Sequence, residues 1–310
     1  MRFPTVIAVV AVVVTAAASG SAGVGPPAPL TWAPPALSNP VVITVTNANR
    51  RLYLDNSRDY RLNIVEHLNR ELWIEGGRNI VVIGGHITID QLGSSSSYQD
   101  NTAVKVRYGD PAGTVHLEGL LIDGAYVNDG IVTATGRNLQ IQNVRVERAY
   151  DMIKNGHADC FQSQLGVGHL RVDRFTCSTT RQGFFLGNHD GPIASANLRH
   201  TNMYSAYGYH LLWQSYATLP ITISDVWMAV APGSSTQYSF GFWVYPQVDG
   251  KDAYTGTNST TRKAVLSSDG QSLWFIGSNI TGTVRKGVPS GGDFVPRSAV
   301  GTGYTSPGYA

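Results

Sequence analysis

Apolar residues recur along the chain in a fixed order that predicts short β-strands joined by corners. In each copy, apolar residues stand at most of the first, third, sixth and eighth positions, and a small or polar residue stands at the fifth. The copies begin at Ile80, Val115, Leu139, Leu170, Leu198, Ile221 and Leu273. Alternation with a period of two is typical of strands, and the fifth residue marks a corner between two of them.

A second pattern lies between these copies and places a small residue directly before a large apolar one. The large residues are Ile131, Phe161, Phe184, Tyr209 and Phe242. In a stacked coil they would form one internal column, in which each buried side chain contributes roughly 1.5 to 3 kcal/mol. A β-sandwich is the structural alternative, but its hairpins would need tight Asn-Gly or Asp-Gly turns between consecutive strands.

Together the two patterns predict an all-β fold, a single-stranded right-handed parallel β-helix. We expect this solenoid to occupy residues 41–310 and to finish in a C-terminal cap or tail. A cap would shield the last strands, because an exposed solenoid end invites edge pairing.

The N-terminus predicts export from the cell. Arg2 precedes an apolar run from Val6 to about Ala18 and then several small residues, so residues 1–22 fit a secretory signal peptide. A retained membrane anchor is the alternative, although the run is short for a span of about 20 residues. Residues 23–40 are rich in proline and predict an extended lead-in. We therefore expect a secreted protein, without a membrane segment after cleavage, in which a disulfide is permitted.

Composition narrows the class of protein further. The chain has 310 residues, 42% of them hydrophobic and 14% charged, which suits one large folded domain rather than a disordered chain. The formal net charge of +2 provides no broad basic field, so nucleic acid is not an expected partner. We expect a monomer whose partner is a polysaccharide or oligosaccharide that it binds.

The residue after each member of the internal column should point outward, because side chains alternate along a strand. These residues are Val132, Gln162, Phe185, His210 and Trp243, and Gln164 and Tyr245 would extend the stripe. Amide groups beside exposed rings suit a sugar, whose hydroxyls need directional partners and whose C–H faces stack on aromatics. The alternative is that these aromatics are ordinary surface residues.

The densest cluster of chemical groups lies at residues 154–162 and contains Lys154, His157 and Asp159. On adjacent coils, about 4.8 Å away, Asp129 should lie on one side of Asp159 and the pair Arg181 and Gln182 on the other. A base, an acid and a cation close together can break a glycosidic bond. The alternative gives Asp159 a corner-capping role and leaves His157 at the surface.

Three stretches, residues 127–131, 158–161 and 181–187 together with Cys177, resemble the motif coils of polygalacturonase-type glycoside hydrolases. This family belongs to the pectin-lyase-like β-helix class, and the similar region covers about residues 115–215. The resemblance implies a Cys160–Cys177 disulfide and catalytic roles for Asp129 and Asp159.

The chain departs from that family at three places. Ala158 stands where the family has a second aspartate, Gln182 where it has the histidine of Gly-His-Gly, and residues 210–212 replace Arg-Ile-Lys. The segment 157–162 also resembles a His-x-Asp-Cys/Gly-x-Gln pattern of secreted bacterial β-helix proteins.

These residues lead to two hypotheses of different class. The first is an enzyme: a hydrolase using Asp129 and Asp159, or a lyase of a uronic-acid polymer. In the lyase, Arg181 or Lys154 would neutralise the substrate carboxylate, and a proton-abstracting base would come from His157, His210 or Tyr207. The second is a non-catalytic glycan-binding or cell-surface module.

The enzyme hypothesis needs no cofactor. Calcium held by Asp129 and Asp159 is left open, although two carboxylates bind it weakly. No zinc-ligand spacing stands out, and we predict no metal site from the sequence.

Overall fold

The computed structural model describes most of the chain between residues 29 and 308. The described ranges are 29–91, 101–150, 158–186, 193–206, 212–214, 219–230, 242–244, 264–266, 272–275 and 279–308. Regular structure in these ranges is almost entirely β, with one 3-10 turn at Arg297–Ala299. No helix among them is long and apolar enough to cross a membrane. The predicted signal peptide lies outside the described residues.

The strands form two sheets, which we call sheet A and sheet B. Sheet A has 14 strands: β1 (Val41–Val45), β3 (Tyr60–Ile64), β5 (Ile80–Ile83), β6 (His86–Thr88), β8 (Thr114–Glu118), β9 (Leu121–Asp123), β11 (Asn138–Ala149), β13 (Val167–Thr179), β15 (Ile193–Ser205), β17 (Ile221–Val230), β19 (Ala264–Leu266), β20 (Ser272–Phe275), β21 (Ile280–Thr281) and β22 (Val284–Lys286). Sheet B has eight: β2 (Arg51–Leu54), β4 (Leu72–Gly76), β7 (Thr102–Arg107), β10 (Asp129–Ala134), β12 (Asp159–Ser163), β14 (Gln182–Leu186), β16 (Leu212–Gln214) and β18 (Phe242–Val244).

From β1 to β18 the chain passes back and forth between the two sheets, and strand pairing over this part is parallel. Each time the chain returns to a sheet, the new strand pairs with the strand that the chain formed there on its previous visit. In sheet B, for example, β12 lies between β10 and β14. The antiparallel pairs are β19 with β20 and β20 with β22. The fold is therefore all-β with long parallel sheets, which is compatible with a parallel β-helix.

The predicted internal column is confirmed at Ile131, Phe161 and Phe184, which are register partners and have no exposed surface. The rings of Phe161 and Phe184 pack with their centroids 5.6 Å apart. The next member is Leu212, which pairs with Phe184 and then with Phe242, so the prediction of Tyr209 at this place was wrong. A small-then-large residue pair does not by itself fix the register of a strand, and the pair at residues 208 and 209 misplaced this one.

Backbone geometry confirms the predicted corners at the fifth position. A positive φ is found at this position in five copies, at Gly84 (66°), Gly119 (71°), Asn143 (52°), Arg174 (50°) and Asp225 (54°). This left-handed conformation turns the strand direction while the apolar residues on either side remain in the core.

Two copies were placed wrongly in the sequence. The copy assigned to Leu198 begins at Ala196, which pairs with Leu170, and its corner is His200. The prediction was two residues too late, because a shift of two residues leaves an alternating pattern unchanged. The last parallel passage begins at Ile280 rather than Leu273, and its corner is Gly282 with φ 98°. That passage is one residue shorter than the pattern, since Ile280 and Val284 pair with residues 221 and 226.

A disulfide joins Cys160 of β12 to Cys177 of β13, as the family resemblance implied. The two Cα atoms are 6.2 Å apart, and both side chains belong to the buried core. The bridge therefore connects sheet B to sheet A through the interior.

Both ends of the described chain lie against sheet A. Residues 29–40, the N-terminal strap, contact it where Gln142 Nε2 donates to the Trp32 carbonyl at 2.6 Å. Residues 293–308, the C-terminal strap, contact it where Gly301 N donates to the Gly119 carbonyl at 2.9 Å. The straps also meet each other, because a Cβ placed on Gly308 would lie 2.7 Å from Leu30 Cδ1.

Candidate functional site

Four polar residues stand side by side at the beginning of neighbouring strands in sheet B, and we call them the carboxyl row. The row consists of Thr102, Asp129, Asp159 and Gln182. Asp129 pairs with Thr102 and Asp159 pairs with Gln182, while the pairing of β10 with β12 brings the two aspartates together. The Asp159 backbone N–H donates to Asp129 Oδ1 at 3.3 Å.

The strands that carry the carboxyl row continue directly into the core. Ala103 and Cys160 belong to the core, and a Cβ on Gly130 between them would lie 2.9 Å from Val146 Cγ1 of the core. Two residues after the aspartates, Ile131 and Phe161 belong to the internal column of the core. The aspartates therefore lie against core side chains at the beginning of their strands.

Both aspartates are buried. Asp129 is 5% exposed and Asp159 is 0% exposed, so the two side chains do not form an open site on the surface of sheet B. A carboxyl group in such surroundings has lost most of its hydration, which penalises the ionised form.

The two carboxyl groups have strongly raised pKa values. Burial raises the pKa of Asp129 to about 7, although the Asp159 backbone N–H and the charge of Lys105 work in the opposite direction. Burial, and then repulsion from Asp129, raises the pKa of Asp159 well above its ordinary value, with Arg181 opposing. Near neutral pH the pair therefore retains a proton, and its two members titrate together.

Hydrogen bonds from the next strand hold one side of the pair. The Gln182 amide nitrogen, when turned to donate, lies 2.6 Å from Asp159 Oδ1 and 3.3 Å from Oδ2. Gln182 N donates to the Ala158 carbonyl at 3.0 Å, and Arg181 N donates to Thr179 Oγ1 at 2.9 Å. These bonds fix the turn before β14, so that Gln182 faces Asp159 and Arg181 lies one residue earlier.

The expected outer stripe is present as a row of register partners but is not open. Val132, Gln162 and Phe185 pair in sequence across β10, β12 and β14. They are 1%, 9% and 6% exposed, so the prediction that they form an open surface was wrong at these positions. Gln164 is half-buried beyond the end of β12, where its N–H donates to the Thr133 carbonyl at 2.7 Å.

Among the remaining predicted site residues, the structure gives the strand pairing of Trp243. Trp243 belongs to β18 and pairs with Trp213, which in turn pairs with Phe185. Trp213 therefore takes the stripe position that we had assigned to His210. Five predicted residues lie outside the described residues, namely Lys154, His157, Tyr207, His210 and Tyr245.

The same row continues in the other direction into residues that the sequence analysis missed. Val132 pairs with Lys105, Lys105 with Trp73, and Trp73 with Arg51. Lys105 Nζ lies 5.0 Å and Arg107 Cζ lies 5.2 Å from the Trp73 ring centroid, within the range of cation–π attraction. The small-then-large pair at residues 103 and 104 could have revealed this strand, because it repeats the pattern of the internal column.

A second group of ionisable side chains lies at sheet A, which does not contain the carboxyl row. His67, His86 and Asp123 are the one group of three metal-type ligands found close together within the described ranges. They line a cavity of about 460 Å³ with Asp90, Glu147 and Arg297 among its other walls. Their spacing in the sequence does not indicate this group, because strand pairing brings the three side chains together.

Comparison with known proteins finds no matching family model, no similar curated protein and no similar solved structure. The geometry of the chain therefore carries the functional argument.

Proposed function

We propose that this chain is a secreted enzyme that hydrolyses glycosidic bonds of a polysaccharide, with Asp129 and Asp159 as its catalytic carboxyl groups. The observation that carries the proposal is the pairing of these two groups on adjacent strands with pKa values raised enough to keep a proton near neutral pH. Glycoside hydrolysis requires one carboxyl group as an acid and another as a base or nucleophile.

We further infer that the two sheets form a right-handed parallel β-helix of the pectin-lyase-like kind. Crossover connections between parallel strands are right-handed in nearly all proteins, and the chain makes such connections throughout β1 to β18. Secretion is supported by the signal-like residues 1–22 and by the Cys160–Cys177 disulfide, since disulfides persist in oxidising compartments.

In this mechanism Asp159 is the general acid. Its pKa is raised both by burial and by its neighbour Asp129, so it holds the proton that the leaving sugar oxygen needs. As the bond between the anomeric carbon and that oxygen breaks, the proton moves from Asp159 to the oxygen. Asp129, as the carboxylate, takes a proton from the attacking water or attacks the anomeric carbon itself. Gln182 keeps the Asp159 carboxyl in place.

The outer face of sheet B would bind the glycan beside this pair. Trp73 offers a ring for stacking against a sugar, and Lys105 and Arg107 around it provide positive charge that suits an acidic sugar. Elimination from a uronic acid would use Arg181 to neutralise the carboxylate of the substrate. The shared proton favours hydrolysis, because an acid and a base are present together in one pair.

The test is incubation with a panel of plant, algal and bacterial polysaccharides, followed by measurement of new reducing ends and of the ultraviolet absorbance of unsaturated sugars. Reducing ends without absorbance are expected. Asp159→Asn should lower the rate by at least about 100-fold, in the range that general acid catalysis contributes. The matched control is Asp55→Asn, which removes an exposed carboxylate from the turn after β2 and should leave the rate unchanged.

A fold-independent readout separates catalysis from stability. An aryl glycoside with a good leaving group needs little protonation, so Asp159→Asn should retain far more activity on it than on the polysaccharide. Equal loss on both substrates, or equal loss in Asp55→Asn, would reject Asp159 as the acid.

A non-catalytic glycan-binding module is the second candidate. The observation that favours it is the burial of both aspartates together with Gln162 and Phe185. Binding of a glycan without cleavage anywhere in the panel would support this candidate over the enzyme.

A further inference from the structure

Two histidines from successive passages of the chain stack on the outside of sheet A. His86 begins β6, and the bridge between Leu68 and Ile87 places His67 beside it. The two imidazole rings are 4.0 Å apart between centroids and only 5° from parallel. Stacking at this distance aligns the two rings, so that their ring nitrogens face the same neighbours.

A carboxylate from the next passage completes the group. Asp123 ends β9 and pairs with Thr88, two residues after His86. His86 Nε2 lies 2.9 Å from Asp123 Oδ1, and the Thr88 hydroxyl donates to the same oxygen at 2.7 Å. His67 Nε2 also bonds to the Thr88 hydroxyl. One ligand atom from each of His67, His86 and Asp123 therefore lies within 4.8 Å of the others.

The C-terminal strap orients the carboxylate. Arg297 binds Asp123 Oδ2 and also pairs with Glu147, which leaves Oδ1 turned toward the imidazoles. Partners of this kind, which hold a ligand without touching the metal, are typical of protein metal sites. With Oδ2 held by Arg297, Asp123 presents its other oxygen, Oδ1, to the imidazoles.

The group is open to solution. It lines a cavity of about 460 Å³, and the side chains of His86 and Asp123 are 22% and 15% exposed. The cavity is lined by the carboxylates of Asp90, Asp123 and Glu147 and by the guanidinium groups of Arg148 and Arg297. The carboxylates outnumber the guanidinium groups, and this excess of negative charge favours a cation. An ion can therefore enter, and water can take the coordination positions that the protein leaves unfilled.

We propose that His67, His86 and Asp123 form a binding site for a divalent transition-metal ion, with zinc as the reference ion. Two imidazole nitrogens and a carboxylate oxygen suit zinc, nickel or copper, whereas calcium and magnesium prefer all-oxygen sites. Three protein ligands leave a fourth position for water in a tetrahedral zinc site. The exposed His67 can move inward to bring its nitrogen within bonding distance.

The proposal is tested by calorimetric titration of the full chain with zinc chloride, on protein purified without a histidine tag. One zinc ion per chain is expected. His67→Gln and Asp123→Asn should each weaken binding by at least about 10-fold, the smallest loss seen when even an outer partner of a metal site is removed. The matched control is His169→Gln, which changes an exposed histidine of β13 and should bind zinc like the unaltered chain.

A second readout follows the site through stability and colour. Zinc should raise the melting temperature of the unaltered chain and of His169→Gln but not of His67→Gln, because only a folded site binds the ion. Cobalt should give the intense visible absorption of tetrahedral coordination in the same two proteins. Absence of zinc binding in the unaltered chain, or equal binding in His67→Gln, would overturn the proposal.

Discussion

Single residues show that burial alone does not decide the charge of a carboxyl group in this protein. Asp59 is 1% exposed, yet its pKa is lowered to about 2 because the Arg78 side chain and the backbone N–H groups of Ser38 and Asn79 donate to it. Asp129 and Asp159 also expose little surface, but loss of hydration is the largest cause acting on them, and their pKa values are raised. The guanidinium group of Arg78 that donates to Asp59, and the deeper burial of the other two carboxyl groups, make the difference.

The first prediction concerns the pH dependence of stability. The pKa of Asp129 is raised from 3.8 in the unfolded chain to about 7, so the folded protein binds more protons between these values. Its stabilising effect is complete below about pH 4 and is lost as the pH rises through about 7. Asp129→Asn removes this titration. The loss of unfolding free energy between pH 5 and pH 8 should then shrink by on the order of 1 kcal/mol or more.

Urea denaturation at the two pH values measures this difference, with Asp55→Asn as the control. Asp59 does not interfere, because its lowered pKa affects stability only as the pH falls below about 4. An unchanged pH slope in Asp129→Asn would contradict the raised pKa.

At this scale the sequence revealed one group of residues and missed another. The sequence predicts that Asp129 and Asp159 are neighbours, because each stands two residues before a member of the internal column. The register of β10 and β12 agrees with this prediction. His67, His86 and Asp123 hold unequal positions in their patterns. The bridge between Leu68 and Ile87, the pairing of β6 with β9 and the position of Arg297 in the distant C-terminal strap bring their side chains together.

The long strands of sheet A, β11, β13, β15 and β17, each contain one repeated corner. The fifth position carries glycine, asparagine, arginine, histidine or aspartate, and each has a positive φ. The alternating pattern predicted the corners at Gly84, Gly119, Asn143, Arg174 and Asp225 correctly, because the apolar residues on both sides of each corner occupy strand positions that pair with a neighbouring copy. The pattern placed the next corner at residue 202 instead of His200, because a shift of two residues gives the same alternation of apolar and polar positions.

The second prediction tests the corner through Gly84. A Cβ there would lie 3.1 Å from the Gly301 carbonyl oxygen, so both Gly84→Asn and Gly84→Val meet the same crowding. They differ in backbone preference, since asparagine tolerates a positive φ and a β-branched residue does not. Gly84→Val should lose about 1 to 2 kcal/mol more unfolding free energy than Gly84→Asn.

Chemical denaturation of both variants gives the comparison, and Asn143 at the equivalent corner, with φ 52°, is the natural precedent for asparagine. Equal destabilisation by the two substitutions would mean that crowding, not the backbone angle, limits this position.

At the scale of the whole molecule, the two straps pack on sheet A, and sheet B carries the carboxyl row. The Tyr304 hydroxyl of the C-terminal strap donates to Glu118 Oε1 at 2.5 Å, and Asn143 Nδ2 donates to that hydroxyl at 2.9 Å. Glu118 has no exposed surface and also contacts His116 Nε2 at 2.9 Å. The strap thus covers a charged group that would otherwise need water.

The third prediction is that Tyr304→Phe weakens the attachment of the strap. Removal of the hydroxyl takes one donor from a buried carboxylate, which should cost about 1 to 3 kcal/mol of unfolding free energy. Proteolysis within residues 293–308 should become faster. Tyr53→Phe, at a residue that is 72% exposed, is the control and should change neither measurement. If both variants behave alike, the strap is held by contacts other than this bond.

The contact between Leu30 and Gly308 makes the chain suitable for circular permutation. A short linker could join residues 308 and 29 without displacing either strap, because these ends already touch. New termini could then be opened at the exposed turn around Ser57, which separates β2 from β3. Such a permutant would keep every strand pair of the two sheets. The C-terminal strap would leave the ribosome before the N-terminal strap, and β1 and β2 would be synthesised last.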